Sequence, residues 1–85
     1  MKAIFTGTEQ DLIDAGFNVN KKHISPKFVT RTITKDEELQ VCIEENYTME
    51  IWVFNNKKHC GTCNFDYVDK RLIQDLIDKN LIRWE

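Results

Sequence analysis

The residues best placed to do chemistry are His59-Cys60-Gly61-Thr62-Cys63, a C-x-x-C pair with a histidine directly before it. Two thiolates at this spacing can hold one tetrahedral Zn²⁺, because a tight turn brings both sulfurs to one point. A structural zinc site needs four ligands, however, and the chain has no second C-x-x-C and no H-x₃₋₅-H. The remaining donors are Cys42, His23 and His59. The metal site to be expected is therefore Cys60, Cys63, Cys42 and His59. It would form only if the loop folds back over the strand that carries Cys42. A redox reading competes with it, since a helix start just after a C-x-x-C lowers a thiol pKa. Yet such a motif belongs after an early strand of a βαβ unit, and here it follows three strands. The simplest reading is that both cysteines are small loop residues, because isolated C-x-x-C matches arise often by accident.

A second group is aromatic. Trp52, Phe54 and Tyr47, with Trp84 further on, supply large side chains of the type that anchors protein interfaces. The alternative is that they fill a small second core, as tryptophan usually does. A third group is basic: Lys21-Lys22-His23 and Lys57-Lys58-His59. Lysines interleaved with aromatics can bind single strands of nucleic acid. Against this, 14 acidic residues oppose 12 basic ones for a net charge of −2, where a nucleic-acid binder of this size carries a basic excess. No catalytic set is visible. Ser25 precedes Pro26 and lies in no nucleophile elbow, there is no glycine-rich phosphate loop, and Glu37-Glu38 and Glu44-Glu45 read as solvated charge.

The elements that would position these groups follow from pattern. Lys2 to Thr6 is a short β-prone run. Thr8 can cap a helix over 9–15, with Gly16 as its C′ residue. Residues 28–34 are β-branched and aromatic, which predicts a strand. Leu39, Val41 and Ile43 alternate with polar neighbours, as do Met49, Ile51 and Val53, which predicts two more strands. A connection at 45–47 sets Val41 opposite Ile51 and keeps the apolar rows on one face. Val68, Leu72, Ile73, Leu76 and Ile77 recur at helical spacing and predict an amphipathic helix over 67–79, capped by Asp66 and closed by Asn80. Leu81 to Trp84 alternates again and could pair with the N-terminal strand.

The fold expected is α+β: a three-stranded antiparallel meander, extended to four or five strands, packed by the C-terminal amphipathic helix, with a short N-terminal helix beside it. One domain over 1–85 accommodates the length. No apolar run approaches the roughly 18 residues of a membrane span, and the N-terminus turns polar too early for a signal peptide, so the expected location is the cytoplasm. The chain starts at Met1 and reads as a small gene product. The function expected is non-enzymatic: a small soluble interaction or regulatory protein that binds another protein, or itself, through Trp52, Phe54 and Tyr47. A zinc or thiol-redox domain built on the C-x-x-C is the alternative, and a weak nucleic-acid binder the second alternative.

Overall fold

The computed structural model describes residues 1–19, 27–56 and 65–85. Its elements are β1 (Ala3–Phe5), α1 (Glu9–Asp14), β2 (Asn18–Val19), β3 (Phe28–Thr32), β4 (Glu37–Cys42), β5 (Glu50–Asn55) and β6 (Phe65–Tyr67). A 3₁₀ turn (Lys70–Ile73) then runs into α2 (Gln74–Asp78), and β7 (Ile82–Trp84) ends the chain. Among the described residues the seven strands form one antiparallel sheet in the order β2-β3-β4-β5-β1-β7, with β6 also paired to β5. No helix among these residues is long and apolar enough to cross a membrane.

This corrects the expected α+β arrangement. β3, β4 and β5 do run as consecutive antiparallel neighbours, but they are the middle of a larger sheet. No long C-terminal amphipathic helix packs on it. The helical stretch covers only Lys70 to Asp78, and its first turn is 3₁₀. The physical reason lies just upstream. Phe65 and Tyr67 sit opposite Phe54 and Trp52 on β5, so ladder hydrogen bonds and ring contacts hold 65–67 extended. These tertiary contacts override the helical periodicity that begins at Val68. Asp69, not Asp66, is the N-cap, and its side chain accepts from the Arg71 N–H.

Period-two alternation divides the sheet into two faces. One face carries the row Val19, Val29, Val41, Ile51, Ala3 and Trp84, with Leu39 and Val53 in the next row. Val41 stands opposite Ile51, so the β4–β5 register is the one that keeps apolar residues together. Leu12 from α1, Phe17, Val68, Ile73 and Leu76 join this face in one buried cluster. α1 begins at a capping box in which the Thr8 hydroxyl accepts from the Asp11 N–H and the Asp11 carboxylate accepts from the Thr8 N–H. It ends at Gly16, whose φ of 92° suits glycine, and the chain leaves α2 through Asn80 at φ 62°. Gly7 is required for a different reason. A Cβ there would fall 2.6 Å from Asp11 Oδ2 and 2.7 Å from the Phe5 ring.

One cation ties the cover to the sheet. Arg31 lies on the core face beside Leu39, at the end of the apolar rows. Its Nη1 donates to the Ala15 carbonyl at the end of α1 (3.0 Å) and to Asp75 (2.9 Å), and its Nη2 donates to the Leu72 carbonyl (2.7 Å). The guanidinium also stands 4.9 Å from the centre of the Phe17 ring. Lys27 secures the other end of α1 through Glu9 at 2.9 Å.

Replacing Arg31 with Met should therefore cost about 2 kcal/mol, since two carbonyls and Asp75 lose a charged donor. For a domain of this length that lowers the melting temperature by roughly 10 °C, measurable by circular dichroism. A pH dependence follows from the same contact. Burial works against the Asp75 carboxylate, but the Arg31 hydrogen bond and charge, with backbone N–H groups, outweigh it and hold its pKa below the usual carboxylate range. A depressed folded pKa contributes stability above the unfolded value near 4, and that contribution is lost as pH falls through the folded one. Urea midpoints should fall on acidification from about pH 6 to about pH 2, and Asp75→Asn should remove part of that fall.

Candidate interaction surface

The second face of the sheet has two halves. One row runs Asn18, Thr30, Gln40, Trp52, Tyr67, and the next runs Thr32, Glu38, Phe54, Phe65. Across β2–β4 these rows are polar, with Phe28 opposite Cys42 beyond them, and across β5–β6 they are aromatic. Cross-strand pairing sets the four rings against one another. Trp52 stacks on Tyr67 with centroids 5.4 Å apart and meets the edge of Phe65 at 6.5 Å, while Phe54 tilts against Phe65 at 5.1 Å. Trp52 and Phe54 are half-buried, whereas Phe65 is 46% exposed and Tyr67 58%. The inner pair thus supports an outer pair that still faces solvent.

Two carboxylates share this face. Glu38 lies directly across from Phe54, and its side chain has no hydrogen bond or ion pair among the described residues. Glu50 precedes Trp52 by two positions on β5 and so projects to the same side. Its Oε1 is buried without a hydrogen-bond partner among the described residues, and Lys2 Nζ forms an ion pair with it at 3.9 Å. The aromatic strip therefore lies between the Glu38 carboxylate and the Lys2–Glu50 ion pair.

The sequence-derived site residues are distributed unevenly over this geometry. Trp52 and Phe54 come together as expected for a shared strand face. Tyr47 does not join them. It is 61% exposed in the β4–β5 connection and makes no ring contact among the described residues. Trp84 belongs to the other side of the sheet, packed against the main core. Cys42 is a half-buried free thiol on the second face, opposite Phe28. Cys60, Cys63 and His59 lie outside the described residues, as do His23 and the lysine pairs 21–22 and 57–58. Phe65 and Tyr67 are the members that sequence reasoning missed. Three residues are too few to display a strand period, and the helical pattern that follows drew the reading of Tyr67 into a helix.

The chain matches no protein-family model, and neither a curated protein nor a solved structure shows significant similarity to it.

Cross-strand stacking of this kind contributes about 0.5–1.5 kcal/mol beyond area burial. A double-mutant cycle on Trp52→Leu and Tyr67→Ser, read by urea denaturation, should return a coupling energy in that range, about 1 kcal/mol. A coupling near zero would mean that the two rings do not hold β6 to β5.

Proposed function

We propose that the chain is a non-enzymatic protein-interaction module. It binds a partner segment bearing basic side chains through Trp52, Phe54, Phe65 and Tyr67. The observation that carries this reading is the half-exposed outer pair, Phe65 and Tyr67, braced by Trp52 and Phe54 beside Glu38, whose carboxylate has no partner among the described residues. Aromatic side chains with few rotatable bonds lose little entropy on contact and dominate interface energetics. Their ring faces also attract Lys and Arg, at about 0.5–2 kcal/mol per contact. Glu38 favours the same cations and disfavours phosphate, which weighs against a nucleic-acid strand on this face. A strip of four side chains suits a small, transient interface rather than an obligate one, with a dissociation constant on the order of micromolar.

An NMR titration of the labelled chain tests this. The probes are a peptide of alternating Arg and Leu, the same peptide with Glu for Arg, and an oligothymidylate. The basic peptide should shift the amides of Trp52, Phe54, Phe65 and Tyr67 in a saturable manner. Glu38→Lys or Tyr67→Ser should weaken it about fivefold, roughly 1 kcal/mol, without changing the far-ultraviolet spectrum. Preference for the acidic peptide or the oligonucleotide on this face would overturn the charge argument. A dimer abolished by Tyr67→Ser would hand the face to a second copy of the chain.

A further inference from the structure

The sheet forks at β5. β1 occupies the β5 edge at Glu50 and Ile51, and β6 takes over from Trp52 onward. Instead of following β5, the start of β1 stays with the chain end: Lys2 N–H donates to the Glu85 carbonyl and Glu85 N–H donates back to Lys2. A cleft of about 550 Å³ opens there, lined by Met1, Tyr67, Val68, Asp69, Lys70 and Trp84. It collects Tyr67 from one face of the sheet and Trp84 from the other, as a gap between diverging strands must. Its volume falls within the roughly 300–1,000 Å³ typical of small-molecule sites.

We propose that this cleft binds a small planar aromatic anion, of the aryl carboxylate class. The shape argument rests on Tyr67 and Trp84, two ring systems that line the cleft together with the buried Val68. Apolar walls of this type take a flat ring and exclude water from it. The charge argument rests on Asp69, Lys70 and Arg71. Both oxygens of the Asp69 carboxylate are occupied by Arg71, Oδ1 by Nε at 3.2 Å and Oδ2 by Nη2 at 3.0 Å. Asp69 is thereby kept ionised and compensated, and is not available to attract a cation. The Lys70 side chain has no hydrogen bond or ion pair among the described residues. Asp69, Lys70 and Arg71 together carry a net charge of +1 beside the aromatic lining, which favours an anion over a neutral or cationic ring.

The site is independent of the aromatic strip proposed for partner binding, although Tyr67 borders both. Titration of the labelled full chain with 2-naphthoate, and separately with the neutral 2-naphthamide, discriminates them. Naphthoate should shift the amides of Tyr67, Val68 and Lys70 and the indole N–H of Trp84, saturating at about millimolar concentration or below. Naphthamide should bind about three- to fivefold more weakly, and added salt should narrow the difference. Lys70→Gln, an exposed change that leaves the core untouched, should bring naphthoate down to the naphthamide value. Equal binding of the two probes to the native chain would overturn the proposal. So would shifts confined to Trp52, Phe54 and Phe65 with Trp84 unmoved, or no saturable shift at all.

Discussion

Arg31 stands where the apolar rows of the sheet give out and the helical cover begins. A leucine or valine there would extend the core face but could not reach the two segments that lie over it. The guanidinium fans three ways instead, to the carbonyl that ends α1, to the carbonyl of Leu72 and to Asp75, while its flat face rests on Phe17. Two short helical pieces, each too short to persist alone, acquire a common anchor. The placement also suits their electrostatics, because a cation at the end of α1 meets the negative end of its dipole. The depression of the Asp75 pKa is the same interaction seen from the carboxylate.

With the cover fixed to one face, the other face carries a different set of side chains. β5 is the strand on which both faces meet the ends of the sheet. Ile51 and Val53 go inward, and Glu50, Trp52 and Phe54 go outward. Its free edge is divided between β1 and β6. That division sets β6 where its rings can lie on Trp52 and Phe54, and it opens the gap beside Trp84. The aromatic strip and the cleft are thus two outcomes of one topological choice.

Much of the central sheet was legible in the chain. Alternation over six residues in each of β4 and β5 fixes their faces and favours one register, and Thr8, Gly16 and Asn80 mark helix ends through side-chain chemistry and backbone freedom. The fold class was misread because the remaining strands are two or three residues long. Neither Asn18–Val19 nor Phe65–Tyr67 spans enough chain to display a period, and their conformation is dictated by partners distant in sequence. The helical spacing from Val68 to Ile77 is real, since Ile73 and Leu76 are wholly buried, but it covers a shorter and partly 3₁₀ stretch. For the surface, alternation placed Trp52 and Phe54 correctly on a common face. It could not show that Tyr47 stays apart, because a loop residue's direction is not set by strand period.

The position of β1 has a consequence for the order of events in folding. It lies between β5 and β7, with Ala3 opposite both Ile51 and Trp84, and all three of its residues are buried. This strand is therefore among the last to be completed, because its partners lie far along the chain. During synthesis its β7 edge must wait, apolar and unpaired, until residues 82–84 leave the ribosome. Closing so long a loop is entropically costly, so the local β3–β4–β5 meander is the natural nucleus and the joining of the two chain ends the late step. Segments that wait in this way are the ones chaperones protect and aggregation exploits. In this chain the segment at risk is Ala3-Ile4-Phe5.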